Sequence, residues 1–421
     1  LQNKKEVNTL TDHLFRNEYG KMVASLTRIF GIGQMSIAED IVQDTMVLAL
    51  KEWSFKPIPP NPTAWLYVVA KNKAIDFIRR EKNKLKITSD IAYLLESEYT
   101  LSSTVNTIFS EPEIKDSQLR MMFALCHPAI SIEAQITLIL KTLCGFGNEE
   151  VAKALLTNIE TINKRLYRSK EKLRKENIKL EVPSSKKLLP RLDAVLKSIY
   201  LLFNEGYNTS SGKDQVISKD LCLEAMRLCV LLTEKDLTNT PTVNALLALM
   251  CFNASRFNSR ISTEGDIILY KEQDRKLWDK GLIVQGTYYL GESAIGNSPS
   301  SYHLEAAIAS YYCQSPSFDE TDWHSIYSLY LHLVKINPSP MVKLNMSIVK
   351  AYCGNIDNAI EDVLALESLK KNHLYYAVLG DLYRQKKNLV KAKENFEAAK
   401  LYTKNPRQLK LITKKLQTLE K

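Results

Sequence analysis

Helical periodicity runs through almost the whole chain, and it excludes most folds before any single residue is considered. From Asp12 to Phe30 the apolar residues Leu14, Phe15, Met22, Val23, Leu26 and Ile29 recur near the three-and-four spacing that lines one helix face. From Ile37 to Trp53, Ile41, Val42, Leu48 and Ala49 do the same. No sustained period-two alternation and no Asn-Gly or Asp-Gly hairpin signal interrupts the series. The expected fold class is therefore all-α. At 421 residues the chain exceeds one ordinary core, which predicts several domains.

Prolines and polar runs mark the joints. In "FKPIPPNPT", Pro57, Pro59 and Pro60 cannot continue a helix, whereas Pro62 suits a first helical position with Asn61 as its cap. That predicts a helix from Pro62 to Lys82, closing a compact three-helix unit over residues 1–86. Residues 87–118 carry Ser, Thr, Asn and acidic side chains with little pattern, and read as a linker holding at most one short helix. Helices resume at Leu119. In "EEVAKALLTNIETINKRLYRSKEKLRK", Val151, Ala152, Leu155, Ile162, Leu166 and Leu173 fall on one apolar face of two helices broken at Thr157-Asn158. With Asn158 as N-cap, this is the geometry of a helix-turn-helix within residues 119–180, although helical hairpins of solenoids imitate it. "EVPSSKKLLP", 181–190, marks the next boundary. Within 181–421, Tyr376, Leu379, Gly380, Tyr383, Ala392, Phe396 and Ala399 take the spacing of a tetratricopeptide helix pair, with a weaker repeat at Ala359, Val363 and Leu366. Residues 404–421 then read as a polar closing helix.

The formal charge of +10 is unevenly spread. One basic block runs from Lys71 to Lys86 and another from Lys164 to Lys179, with the acidic stretch Asp90 to Asp116 between them. Any one block is explained by a solvated helix face; two blocks on an acidic tether look more like two DNA-contacting elements. Seven scattered cysteines, never in a C-x-x-C pair, read as small buried apolar residues of a reducing compartment, and no metal site is expected. No stretch is apolar enough to span a bilayer and the first residues lack a secretory signal, so the expectation is a soluble, cytoplasmic protein. There is no P-loop, no G-x-S-x-G and no H-E-x-x-H, and the histidines are dispersed. Neither a cofactor nor an enzymatic activity is expected.

"AEDIVQDTMVLALKEW" followed by "NPTAWLYVVAKNKAIDFIRREK" resembles region 2 of the extracytoplasmic-function sigma factors of bacterial RNA polymerase, and residues 133–175 resemble their region 4. "YLLFNEGY", "EQDRKLWD", "ETDW" and "NPSPMVKLN" are similar to the subgroup with a long C-terminal tetratricopeptide-like domain. The resemblance implies core RNA polymerase as partner, through the beta-prime clamp helices and the beta flap, and promoter DNA as ligand. It implies that Asp40, Gln43 and Asp44 meet the clamp helices. It implies that the Phe55–Asn61 loop captures a flipped base, and that Asn61, Asn72, Lys73, Arg79 and Arg80 bind the minus-ten strand, with Trp65 in the core. Glu160, Thr161, Lys164, Arg165 and Arg168 are implied to read the minus-thirty-five duplex; Leu156 and Thr157 depart from the family's usual turn residues. The C-terminal domain would hold a protein or peptide ligand, or contact the polymerase.

Glu205 of YLLFNEGY has no partner acid, metal pattern or nucleotide loop in view and loses a catalytic reading. Asn204, Glu205 and Tyr207 are expected to hold an interdomain contact, and Gly206 to end a helix or allow close packing. A different class of protein, a helical-repeat scaffold with a DNA-tethering N-terminal part, shares all these features except direction of polymerase.

Overall fold

The structure, a computed structural model, describes residues 4–81, 98–155, 157–208, 215–262, 266–296, 298–403 and 405–419. Lys82, Lys84 and Lys86 of the first basic block, and Leu156 in the turn, lie outside the described residues. The chain is all-α and multidomain. Among the described residues, β pairing is limited to an isolated bridge between Ile261 and Ile267. The chain divides into two compact units, Leu1–Glu205 and Gly206–Lys421.

In the first unit α1 (Lys4–Phe30), α2 (Met35–Trp53) and α3 (Pro62–Glu81) pack together. Their apolar stripes meet: Met22, Leu26, Val42, Ala49, Leu66 and Ala74 are all buried. Asn61 Oδ1 accepts from the Ala64 N–H at 2.9 Å, so the helix after the proline loop starts with the expected cap. Tyr67 of α3 donates to Glu18 of α1 at 2.7 Å, and Trp65 leans on Trp53 with ring centroids 5.3 Å apart.

The acidic stretch is not a bare connector. It holds α4 (Glu98–Ile108) and α5 (Glu111–Leu125), the latter starting eight residues before the expected Leu119. Glu111, Pro112 and Glu113 occupy its first turn, where carboxylates favour the positive end of the helix and proline forfeits no bond. Arg28 of α1 pairs with Glu113 and with Asp116, the latter at 3.5 Å, so carboxylates read as solvated tether are partly used to dock α5.

After α6 (Ile132–Leu138) the helix widens into a π turn, Ile139–Leu143, and Gly145 takes a left-handed φ of 70°. A close approach accompanies this widening. A Cβ built on Gly20 of α1 would sit 1.9 Å from the Leu143 carbonyl oxygen, so only glycine lets α1 lie directly on that peptide. Then follow α7 (Asn148–Ala154) and α8 (Ile159–Lys175), with Ile162, Leu166, Ser169 and Leu173 of α8 turned inward.

α9 (Ser185–Asn208) begins inside the expected boundary segment, but its early turns belong to the first unit. Arg191 donates to the Phe123 carbonyl, and Ser198 Oγ donates to Gln135 Oε1 at 2.9 Å. The division between units falls within YLLFNEGY itself, between Glu205 and Gly206. Gly206 does not end the helix, which continues to Asn208.

The second unit begins with α10 (Gln215–Thr233) and α11 (Pro241–Ala254); every residue of α11 from Val243 to Phe252 is buried, making it the unit's central helix. The short α12 (Phe257–Arg260) leads through two 3-10 turns to α13 (Lys280–Glu292) and α14 (Ser301–Gln314), both packed on α11. α15 (Trp323–Ile336), α16 (Pro340–Tyr352), α17 (Ile356–Leu364), α18 (His373–Gln385), α19 (Leu389–Leu401) and α20 (Pro406–Gln417) then stack each against its neighbour. Gly380 of α18 faces Phe396 of α19, where an added Cβ would come within 2.6 Å of the ring, and Ala392 and Ala399 are fully buried beside it. Small residues thus admit the aromatic ring, as the spacing predicts. α20 is polar but buries Ile412 and Leu416.

Candidate functional site

The first unit carries three surfaces that the sequence singles out. On α2, Asp40, Gln43 and Asp44 are all exposed, and Val47 extends the strip at 63% exposure, one helical turn further on. The opposite face of the same helix, Ile41, Val42, Thr45 and Met46, is core. A strip of carboxylates ending in an exposed valine is a surface suited to a basic partner helix with an apolar edge.

On α3, Asn72, Arg79 and Arg80 are exposed, whereas Lys73 is half-buried and lies 3.8 Å from Asp44 of α2. The two surfaces therefore adjoin across α2 and α3, which the sequence did not reveal. Arg79 lies 3.7 Å from Asp76, and the Arg80 guanidinium sits 5.8 Å from the Phe77 ring. Before α3, the loop holds Phe55 at 88% exposure, an aromatic ring available for stacking, while Asn61 is exposed but spends its carbonyl oxygen on the helix cap.

On α8, Glu160, Lys164 and Arg168 are exposed on the side away from Ile162 and Leu166, and Thr161 and Arg165 are half-buried along the edge of that side. Asn158 Oδ1 accepts from the Thr161 N–H at 2.7 Å, which starts the helix where expected. Glu160 and Lys164 pair at 2.6 Å, so part of the polar surface is internally neutralised. Asn148 of α7 bonds Asn163 of α8 at 2.7 Å and fixes the angle between the two helices.

A contact that sequence reasoning missed joins α8 to α2. Lys170 Nζ lies 2.5 Å from Glu39 Oε2, and the Glu39 side chain is only 7% exposed. One turn further, Arg174 packs on Gly33 in the 3-10 turn before α2. Burial and the neighbouring Glu39 carboxylate together push the Tyr19 hydroxyl pKa up, and burial pulls the Lys141 ammonium down. Glu39→Gln should leave Lys170 without its carboxylate and cost the first unit about 1–3 kcal/mol, Lys170 being partly solvated. Urea unfolding of the variant checks this; an unchanged midpoint contradicts it.

Of the three residues expected at an interdomain contact, Asn204 and Glu205 close the first unit and Tyr207 belongs to the second. Burial raises the pKa of Glu205, which is half-buried. Tyr207 is held within its own unit: the Arg260 guanidinium lies 3.5 Å from its ring centroid, and Arg260 donates to its carbonyl at 3.1 Å.

The cysteines are inert in character, all but Cys353 being buried, and burial pushes the Cys126 thiol up to about 12. Among the described residues no group of three or more His, Cys, Asp or Glu could hold a metal ion, and no helix is long and apolar enough to cross a membrane.

Comparison with known proteins accords with this geometry. Residues 14–84, which contain α2 and α3 with their two adjoining surfaces, match Sigma-70 region 2. Residues 191–294 match a family of unknown function, DUF6596. The chain is 24% identical over 160 residues to a probable RNA polymerase sigma factor of Haemophilus influenzae, covering 34% of this chain and 77% of that one. No solved structure matches it. Residues 14–84 thus carry a Sigma-70 region 2 domain, and the likeness to the Haemophilus influenzae protein supports a place in the sigma-70 family. More narrowly, it belongs to one family with an uncharacterized protein of Rhizobium meliloti, to which it is 30% identical over 366 residues, 87% of this chain and 86% of the other.

Proposed function

We propose that the chain is a dissociable sigma factor of the extracytoplasmic-function type, which binds core RNA polymerase, recognises minus-thirty-five and minus-ten promoter elements and promotes melting, while the polymerase supplies the chemistry. The observation that carries this reading is the pair of adjoining surfaces on the region 2 helices: exposed Asp40, Gln43 and Asp44 on α2, and exposed Asn72, Arg79 and Arg80 on α3. The acidic strip is assigned to the beta-prime clamp helices and the α3 strip, with Lys73 and the Phe55–Asn61 loop, to the opened minus-ten strand. The α7–α8 pair is assigned as a helix-turn-helix that lays Glu160, Thr161, Lys164 and Arg165 along the minus-thirty-five duplex, with Arg168 on phosphate. The beta flap and the C-terminal tetratricopeptide-like helices complete the contacts, the latter for regulation, for a peptide ligand or for the polymerase itself.

Promoter elements about 25 base pairs apart lie about 85 Å apart along B-form DNA, whereas a compact body of the first unit's size has a radius of gyration of about 17 Å. Regions 2 and 4 cannot reach both elements while α8 is docked on α2. Engagement of both elements requires the Glu39–Lys170 pair to part.

Phosphate contact by α8 predicts its own signature. Replacing Lys164 and Arg165 with alanine should weaken binding of the holoenzyme to promoter DNA and lower the slope of log K against log salt by about 1 per lost phosphate contact. Equilibrium binding across a salt series reads this directly; an unchanged slope would remove α8 from the DNA. A scaffold with a DNA tether would bind DNA without stimulating core polymerase, and the same charge-bearing surface on α2 would then be dispensable.

A further inference from the structure

The second unit contains three arginines, Arg256, Arg260 and Arg275, none of which forms an ion pair with a carboxylate among the described residues. Of the acids near in sequence, Asp274 accepts from the Lys276 N–H at 2.9 Å, Asp279 from the Leu282 N–H at 3.0 Å, and Asp266 pairs with Lys410 at 2.6 Å, while Glu272 is exposed and Glu264 lies outside the described residues. All three residues are half-buried, so each guanidinium gives up part of its hydration without gaining a counter-charge from a described carboxylate.

Arg256 and Arg275 share one aromatic platform. Tyr270 and Trp278 stack with centroids 6.2 Å apart. The Arg256 guanidinium lies 4.9 Å from the first ring and 5.6 Å from the second, and that of Arg275 lies 5.1 Å and 5.0 Å from the same two. Both groups are also held in place by polar contacts. Gln273 Oε1 accepts from Arg256 Nε at 3.1 Å, the Ser315 carbonyl accepts from Arg275 Nε at 3.1 Å, and the Tyr270 hydroxyl donates to the Tyr312 carbonyl at 3.0 Å. Two donors remain over: Arg275 Nη2 and Trp278 Nε1 are buried without a hydrogen-bond acceptor. Two like charges are thus fixed against one ring pair, beside donors with nothing to receive their protons.

We infer that Arg256 and Arg275, together with Trp278 Nε1, form a binding site for a compact oxyanion, the phosphoryl or carboxylate group of a small molecule. Such a group neutralises both guanidiniums and accepts from the orphaned donors, and planar guanidinium forks suit its geometry. A small head group is required because Trp278 is only 3% exposed. The site lies wholly within residues 191–294, so it assigns a ligand chemistry to a region that matches a family of unknown function.

The test uses the full chain, titrated with inorganic phosphate and separately with citrate, against chloride at matched ionic strength, reading tryptophan fluorescence and the unfolding temperature. The expected result is a saturable response beyond chloride. Phosphate alone identifies a phosphoryl source, citrate alone a carboxylate source, and both together support the shared class. Arg256→Gln, which removes a guanidinium making one hydrogen bond to the protein, should raise the apparent Kd at least tenfold, and Lys410→Gln should leave it unchanged. Arg275→Gln should act as Arg256→Gln does; if it fails to fold, Arg256→Gln alone decides. No response beyond chloride overturns the proposal, and so does a response that Arg256→Gln retains in full.

Discussion

Gly20→Ala is expected to destabilise the N-terminal unit by about 3 kcal/mol, a large fraction of a domain's stability. The added methyl would meet the Leu143 carbonyl oxygen at 1.9 Å, with the Leu143 carbonyl carbon and Cα also inside 3 Å. Backbone cannot rotate away as a long side chain can. Either α1 lifts off the π turn or the turn itself unwinds, and both expose the buried residues Met22, Leu26, Leu140 and Leu143. Trp53 and Trp65 report this unit and Trp278 and Trp323 the other, so denaturant unfolding followed by fluorescence in tryptophan-substituted backgrounds separates the two. A wild-type midpoint for the first unit would show that the helix does not lie on that peptide.

The second large effect concerns the surface rather than the core. Replacing Asp40 and Asp44 together with arginine should lower polymerase-dependent transcription by about a hundredfold, since like charges brought face to face at an interface cost several kcal/mol. The fold should survive. Both residues are exposed, and the Asp44–Lys73 pair, with Asp44 73% exposed, is of the kind that contributes at most about 1 kcal/mol. Unfolding of the double variant should match wild type while activity is lost, and a parallel loss of both would reduce Asp40 and Asp44 to structural residues.

What the sequence disclosed, and what it hid, follows from the range of the forces involved. The caps at Asn61 and Asn158 were legible because the side chain and the N–H it serves are three residues apart. The buried faces of α2 and α8 and the Gly380–Phe396 fit were legible for a similar reason, their spacing being set by the helical repeat. The start of α5 at Glu111 was not, because its acidic first turn reads as solvated chain until Arg28, 85 residues before Glu113, supplies the partner. Glu39 and Lys170 are 131 residues apart and each looks like an ordinary surface charge. Gly20 gives a weak signal, a glycine inside a helical pattern, whose reason is a peptide more than a hundred residues away. The joint expected at 181–190 is displaced, because α9 starts inside that segment and the division between units falls within the same helix, at YLLFNEGY; Gly206, expected to end a helix or allow close packing, is buried within it.

The polymerase-directing role of the region 2 surfaces is tested most directly by run-off transcription with purified core RNA polymerase on promoter-bearing DNA. The expected result is transcripts of defined length that require the full chain and disappear with the Asp40→Arg, Asp44→Arg variant; transcription no different from core polymerase alone, with the chain folded and bound to DNA, would contradict that role.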